Sequence, residues 1–223
     1  MNTWVWWSTG KDSAWTLHRL REAEDADVTG IVTTVTATFD RVSIHGTPRS
    51  ILRAQAAALG LPLFEVELTY PSSNDEYEAA VRPLLALARR HGVEAMAFGD
   101  LFLADVRAYR ERLLEGSGIE PLFPLWGAHT GRLARQMLEA GVAARVSCVD
   151  ADRLPAELAG RPFDDALLAE LPDGVDPCGE NGEVHTCVTA GPFFRERLDV
   201  TVAGTVRRDG AVFADLRLAG AEA

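Results

Sequence analysis

The sequence predicts an α/β protein with a doubly wound parallel sheet, followed by a smaller C-terminal α/β domain. Two observations predict this class. Short apolar runs alternate with amphipathic stretches five times before Gly127, which is typical of strands and helices that build a parallel sheet. After Gly127 the alternation continues once and then gives way to segments rich in proline and glycine. We therefore predict two domains, over residues 1–127 and 128–223.

The spacing of apolar residues predicts the elements in chain order. Consecutive apolar or β-branched residues predict strands over 3–7, 28–35, 63–68, 94–98 and 119–125. Helical spacing predicts one helix that begins at the turn STGKDS, capped by Asp12 or Ser13. It predicts further helices over 47–59, 74–92 and 107–114. Beyond Gly127 we expect a helix over 131–140, a strand over 144–149 and an alternating run over 198–206.

Composition excludes several classes of protein. The formal net charge of −11 argues against an extended basic surface for nucleic acid. Three cysteines without a CxxC pair indicate a reducing compartment, and no apolar run approaches the ~20 residues of a membrane span. We expect a cytoplasmic protein with no nucleic-acid or membrane partner. The oligomeric state is left open, a homodimer included.

The strongest local signal is the segment WWSTGKDSAW, a strand, a turn of small residues and a helix. Backbone amides at such a turn converge on an anion, helped by the helix dipole. Lys11 is the only lysine in the chain. A Walker A loop is excluded because Val5 stands where that motif needs glycine. The alternative is a plain turn, but we expect phosphate over the loop residues Ser8, Thr9, Gly10, Lys11, Asp12 and Ser13.

A second polar segment, GENGEVHT, concentrates Glu180, Asn181, Glu183, His185 and Thr186. Its carboxylates suit a cationic substrate, ammonia or Mg²⁺. The alternative is a solvated acidic turn. Zinc binding by the nearby cysteines is disfavoured because the spacing lacks a CxxC arm, so we expect buried, inert cysteines.

Three further places in the sequence hold candidate residues with open alternatives. Gly99 and Asp100 follow a predicted strand, so Asp100 suits Mg²⁺ or a nucleotide hydroxyl, or else caps a helix. Arg107 and Arg110 share one helical face and suit an anion, or else pair with nearby glutamates. His45 suits phosphate binding or acid–base work, or else is a solvent-exposed loop residue.

Four segments together resemble a known family. STGKDS resembles the SGGKDS pyrophosphate loop of the ATP pyrophosphatases, with Thr9 in place of the usual glycine. The runs IHGTPRSILRAQAAALGLPL, FGDLFLADVRAYRERLL with PLFPLWG, and DPCGENGEVHT resemble the branch related to diphthine ammonia ligase. The resemblance spans Trp6 to Thr186. It implies a Rossmann-like nucleotide-binding domain of the HUP type, a second domain that closes the substrate cleft, and amide formation from ATP and ammonia.

The function expected from these features is adenylation of a carboxylate, with release of pyrophosphate and displacement of AMP by ammonia. Lys11, Asp12, Glu180 and Glu183 are the expected catalytic residues, with ATP and Mg²⁺ as cofactors. The arginine-rich and alanine-rich composition looks bacterial, whereas diphthamide belongs to archaeal and eukaryotic elongation factors. The acceptor is therefore expected to be another carboxylate, on a small molecule or a protein. The alternatives are a nucleotide-binding sensor and an RNA thiolation enzyme.

Overall fold

Two β-sheets form the framework of the chain. The structure is a computed structural model that describes residues 1–23 and 26–220. The first sheet contains β1 (Asn2–Trp6), β2 (Asp27–Thr36), β3 (Arg41–Val42), β4 (Leu63–Leu68), β5 (Ala95–Ala97) and β6 (Glu120–Leu122). The second contains β7 (Ala143–Asp150), β8 (Val184–Ala190), β9 (Val200–Arg208) and β10 (Ala211–Leu218).

Five strands of the first sheet run parallel, in the order β4-β2-β1-β5-β6. The chain order reverses between β1 and β5, and a crevice for ligands opens at such a switch point beyond the carboxyl ends of the strands. The short β3 runs antiparallel to β2 at Val35 and Thr36, past the end of β1. The predicted Rossmann-like α/β class is confirmed.

Helices connect the strands and cover the sheet. They are α1 (Lys11–Glu22), α2 (Arg49–Leu59), α3 (Asn74–Arg90), α4 (Ala104–Leu114), α5 (Thr130–Glu139) and α6 (Asp165–Glu170). Ser73 caps α3, and the Glu76 carboxylate returns a bond to the Ser73 amide, so a capping box sets the start of that helix. The predicted cap of α1 was wrong: Gly10 is its N-cap, and Asp12 and Ser13 lie inside the first turn.

The second sheet is antiparallel, in the order β8-β7-β10-β9. One buried cluster continues from Val5 and Trp7 of the first sheet, through Leu133 of α5, to Val188 and Leu216 of the second. The two sheets therefore share a hydrophobic core, which fixes them against each other at the crevice. Within the described ranges, no helix is long and apolar enough to cross a bilayer.

Candidate functional site

The turn after β1 lies at the switch point and is held by its own side chains. Ser13 Oγ accepts from the Ser8 amide at 3.2 Å and donates to the Gly10 carbonyl at 3.0 Å. The Lys11 amide donates to Thr186 Oγ1 of β8 at 3.1 Å. A Cβ at Gly10 would meet the Thr186 carbonyl oxygen at 3.1 Å, so glycine permits the close approach of β8. The second sheet thus closes directly over the start of α1.

Thr9 has a left-handed backbone with φ of +70°, where a β-branched residue is strained. This conformation is the physical reason that glycine suits the position. Thr9 is fully buried, and its hydroxyl donates to Thr47 Oγ1 at 2.8 Å. Its carbonyl accepts from the Val188 amide at 2.9 Å and from Gln55 Nε2 at 3.2 Å. These bonds hold the threonine in the glycine conformation.

Lys11 is buried, with 1% of its surface exposed. Its ammonium donates to Asp12 Oδ2 at 2.9 Å and to the Cys178 carbonyl at 2.5 Å. Burial opposes the charge, but the interactions with Asp12, Cys178 and Asp176 together outweigh it and raise the pKa of Lys11. Burial also raises the pKa of the Asp12 carboxyl, against the effect of Lys11. The only lysine of the chain therefore joins α1 to the segment that precedes β8.

The end of β5 touches the start of α1. A Cβ at Gly99 would meet the backbone carbon of Asp12 at 3.0 Å and the Ser13 nitrogen at 3.1 Å, so glycine is needed there. Asp100 follows, with Oδ2 3.7 Å from Arg110 Nε. Burial raises the pKa of Asp100, and the negative charge of Asp12 adds to the shift. The two aspartates are thus close enough to affect each other.

Glu180 contributes a further carboxylate from the segment that precedes β8. Its Oε1 accepts from the Leu101 amide at 2.7 Å and from the Phe102 amide at 3.3 Å. Burial raises its pKa to about 7, with smaller contributions from Asp12 and Asp100. Among the described residues, Asp12 Oδ1 and Asp100 Oδ2 are buried atoms without a hydrogen-bond partner. Such oxygens are the donor type that Mg²⁺ prefers.

Glu183 differs from the solvated acidic side chain considered above, because it is fully buried. Its Oε1 accepts from Asn181 Nδ2 at 3.0 Å and from the Asp176 amide at 3.3 Å, and lies 3.2 Å from Arg153 Nη1. The carboxylate therefore braces the turn that presents Glu180. Sequence reasoning missed Arg153, which stands 30 positions before its partner in a segment without a motif.

His45 lies between β3 and α2, His185 lies in β8, and the two rings meet with centroids 4.5 Å apart. Burial lowers the pKa of His45 well below its ordinary value, helped by His185 and Lys11. Burial and Lys11 also lower the pKa of His185 to about 4. Both imidazoles are consequently neutral at pH 7. Neither is a freely exposed loop residue.

A cavity of about 1060 Å³ opens between the two sheets and contains both histidines. Ser8 and Trp6 line it at the end of β1, Tyr77 and Arg110 on one side, and Asp150 on the second sheet. A volume of this order suits a ligand of the size of a nucleotide with an acceptor. The described lining includes Arg110 but not Arg107.

The two arginines of α4 have different surroundings. Arg107 Nε donates to Glu111 Oε1 at 2.9 Å, and its guanidinium covers the rings of Phe123 and Trp126. Arg110 Nη1 donates to the Tyr77 hydroxyl at 3.3 Å, beside Asp100. The glutamate partner considered for this helix is therefore found at Arg107. Arg110 instead lies beside Asp100 and lines the cavity.

Gln55 is a site residue that sequence reasoning missed. It is fully buried on α2, accepts from Trp7 Nε1 at 2.8 Å and donates to the Val188 carbonyl at 2.7 Å. It therefore ties the end of β1 to β8. A polar residue within the apolar face of α2 was the available signal, because a buried amide needs partners.

Metal-binding capacity is limited in the part of the chain that the structure describes. No three His, Cys, Asp or Glu side chains are grouped to hold an ion there.

The three cysteines are free and buried, as expected, and burial raises the pKa of Cys148 and of Cys187 to about 12.

Comparison with protein families gives two matches. The model described as the diphthamide synthase N-terminal domain matches residues 1–121, and that of the diphthamide synthase C-terminal domain matches residues 129–213. Comparison with curated proteins gives no match. The first match contains the loop at β1 and the turn at β5, and the second contains the segment with Glu180. The chain belongs to the diphthamide synthase family, related to diphthine ammonia ligase and to the ATP pyrophosphatases.

Proposed function

We propose that the protein is an ATP-dependent amide ligase that forms AMP and pyrophosphate. One observation carries the proposal: one carboxylate oxygen each of Asp12 and Asp100, buried and without a hydrogen-bond partner among the described residues, lies where the start of α1 meets the end of β5. A buried oxygen of this kind is costly unless a ligand completes it. Family membership supplies the nucleotide as ATP.

The residues present fit Mg²⁺. Mg²⁺ in nucleotide sites uses one or two protein carboxylates together with phosphates and water, so a three-residue cluster is not required. Asp12 and Asp100 are the residues proposed to hold it. When bound, the ion neutralises charge on the phosphates as pyrophosphate leaves.

Chain residues bind and orient the phosphates in this proposal. The amide groups at the start of α1 face the anion along the helix dipole. Ser8 and Ser13 position the turn, and Thr9 and Gly10 give it the required backbone shape. Lys11 acts through its field, because its ammonium is bonded to Asp12 and to the Cys178 carbonyl. Gly99 permits Asp100 to approach this end of α1.

The proposed reaction has two steps. A carboxylate oxygen of the acceptor attacks the α-phosphorus, and the bond from that phosphorus to the bridging oxygen breaks as pyrophosphate leaves. The nitrogen of ammonia then attacks the acyl carbon, AMP leaves with the electron pair of the acyl–oxygen bond, and one proton passes to a base. Glu180 is the proposed contact for ammonia, since its pKa of about 7 permits proton exchange at neutral pH.

The acceptor is proposed to occupy the cavity between the sheets. Arg110 and the neutral pair His45 and His185 line it and offer contacts for an acceptor carboxylate and its surroundings. Glu183, with Asn181, supports Glu180 by holding its turn, and Thr186 holds the loop. Arg107 is proposed to support α4 through its bond to Glu111 and not to contact the acceptor. The division near Gly127, cytoplasmic location and an acceptor other than diphthine remain predictions.

Product analysis tests the reaction class. The purified protein is incubated with ATP, Mg²⁺, ammonium and candidate carboxylates, and the products are followed by phosphorus NMR. We expect pyrophosphate and AMP. ADP with orthophosphate would exclude adenylation, and ATP binding without turnover under every acceptor would favour the nucleotide-binding sensor.

Variants test the nucleotide site separately. Asp100→Asn removes one proposed ligand of Mg²⁺ and should weaken Mg-ATP binding by tenfold or more, measured by calorimetry. Asp165→Asn, an exposed aspartate on α6, is the matched control and should bind normally. Equal affinity in both variants would remove Asp100 from the site.

The acceptor side has its own test. Glu180→Gln keeps an oxygen that can accept from the Leu101 amide, so the fold and ATP binding should survive while amide formation is lost. Glu183→Gln should reduce both stability and amide formation because it leaves Arg153 without its anion. Full turnover in Glu180→Gln would exclude its proposed role.

A further inference from the structure

Three arginines line the cavity between the sheets, and one of them has no acidic partner. Arg41 Nη2 donates to Asp215 Oδ1 at 2.8 Å. Arg110 Nε lies 3.7 Å from Asp100 Oδ2. The guanidinium of Arg208 contacts aromatic rings but forms no hydrogen bond or ion pair with any residue that the structure describes. Its charge is therefore available to an anion that enters the cavity.

The register of the second sheet shows where Arg208 lies. Ala211 of β10 stands opposite Arg208 on one side and opposite Asp150 of β7 on the other, so the three share one face of the sheet. All three line the cavity. His185 of β8 lines it too, three strand spacings or about 14 Å from β9. Arg208 and the histidine pair are thus on opposite sides of the cavity.

The contacts that hold the Arg208 guanidinium leave its N–H groups free. Its central carbon lies 3.7 Å from the centre of the Phe39 ring, a cation–π contact that uses the flat face of the group. None of its nitrogens is among the buried atoms without partners, so they are accessible. Asp209 and Gly210 have φ of +50° and +80° and form the tight hairpin turn that fixes Arg208 at the end of β9. The Asp209 carboxylate accepts from the Tyr70 hydroxyl instead of pairing with Arg208.

We propose that Arg208 binds an anionic group of the acceptor, a carboxylate or a phosphate, remote from the carboxyl that becomes the amide. The inference rests on the proposed function for the identity of the occupant. A guanidinium with free N–H groups pairs with either oxyanion through two parallel hydrogen bonds. Arg110 and the histidine pair receive the reacting carboxyl at the other side of the cavity. The acceptor is accordingly an elongated molecule with two acidic groups.

Binding of simple diacids tests the proposal without turnover. The full chain is titrated by calorimetry with dicarboxylates from succinate to sebacate, with monocarboxylates of the same lengths, and with the matching ω-phosphonoalkanoates. At one length the diacid should bind about tenfold more tightly than the monoacid, because its second group gains a charge-assisted pair. Tighter binding of the phosphono compound at that length would identify the remote group as a phosphate, and tighter binding of the dicarboxylate as a carboxylate.

Variants assign the preference for diacids to Arg208. Arg208→Gln should remove it, Arg208→Lys should keep part of it through the charge, and both should bind Mg-ATP as the wild type does. Arg207→Gln is the matched control, because the neighbouring Arg207 is exposed and the described lining contains Arg208 but not Arg207. Circular dichroism confirms that each variant is folded.

Three results would overturn the proposal. They are a wild type that binds no diacid more tightly than its monoacid, a preference that Arg208→Gln retains, and a loss of Mg-ATP affinity in Arg208→Gln, which would assign Arg208 to the nucleotide. The proposed function fails separately. If ATP yields no pyrophosphate while the diacid preference depends on Arg208, the ligase reaction is rejected and the anion site stands.

Discussion

The loop after β1 and the turn after β5 lie on either side of the same switch point but differ in what holds them. At β1, Thr9 and Lys11 are buried and bonded to the second sheet. At β5, Asp100 is half-buried and its Oδ2 has no hydrogen-bond partner among the described residues. Substitutions at β1 should therefore act on stability first, and substitutions of Asp100 on ligand binding.

This difference shows that the residue that marks a sequence motif can have its hydrogen bonds taken up by the protein itself. The ammonium of Lys11, the lysine of the pyrophosphatase-type loop, donates to Asp12 Oδ2 and to the Cys178 carbonyl. Asp12 Oδ1 and Asp100 Oδ2 beside it have no hydrogen-bond partner among the described residues. A motif residue can thus be structural in its contacts, while neighbouring positions with weaker sequence signals carry the oxygens that lack hydrogen-bond partners.

The largest effect should come from Lys11→Met, which removes the ammonium from the buried pair. Asp12 then keeps a buried charge without its partner, so we expect a loss of about 3 to 5 kcal/mol in the free energy of unfolding. Urea denaturation measures it. Arg19→Met removes a cation that is 57% exposed beside Glu22 and should cost less than about 1 kcal/mol. Similar losses in both variants would contradict the structural role of Lys11.

Gly99→Ala should have the next largest effect, because the new Cβ meets backbone atoms of Asp12 and Ser13 that cannot move aside. We expect destabilisation of about 1 to 3 kcal/mol and weaker Mg-ATP binding. Gly131→Ala, at the start of α5, is the control: its nearest neighbours lie at 3.5 Å or more. That variant should be neutral or stabilised by up to about 1 kcal/mol. Chemical denaturation of both proteins decides.

Acid titration separates His185 from Glu180. The pKa of His185 is about 4 against an ordinary 6.5, so the unfolded chain takes up that proton first and stability falls as the pH drops from 6.5 to 4. The pKa of Glu180 is about 7 against 4.5, so the folded chain takes up its proton first and stability rises as the pH drops from 7 to 4.5.

The two trends oppose each other in the wild type, and variants expose them. Glu180→Gln should lose stability more steeply than the wild type on acidification, by at most about 3 kcal/mol from His185. His185→Gln should lose less than the wild type. Thermal unfolding at a series of pH values measures both, and identical pH profiles in the two variants would contradict the assignment.

The smallest effect is expected at Thr9. Thr9→Gly relieves the strain of the left-handed backbone but loses the bond to Thr47 and adds freedom to the unfolded chain. These terms nearly cancel, so stability should stay within about 1 kcal/mol of the wild type. Thr9→Ala keeps the strain and loses the bond, and should be less stable than Thr9→Gly. The reverse order would show that strain at Thr9 is unimportant.

Local patterns predicted most of the parallel sheet. The strand over 63–68 has the predicted bounds, and the helix that begins at Asn74 is set by a cap next to it in the chain. Such elements depend on apolar periodicity and turn chemistry within a few residues. For the same reason the turn after β1 and the turn after β5 could be predicted to lie at the carboxyl edge of the sheet.

The sequence by itself determined the α/β class, the nucleotide-type loop and the polar segments that serve as candidates. Only the tertiary structure decided which atoms of those segments are free. The strand β8 was not predicted, since His185 and Thr186 interrupt its apolar pattern, and it is pairing with β7 that forms it. Lys11 and Cys178 are 167 positions apart, so no local pattern reports their contact. Burial and pairing over such distances depend on the whole chain, which is why the roles of Lys11 and Glu183 became visible only once both sheets were in place.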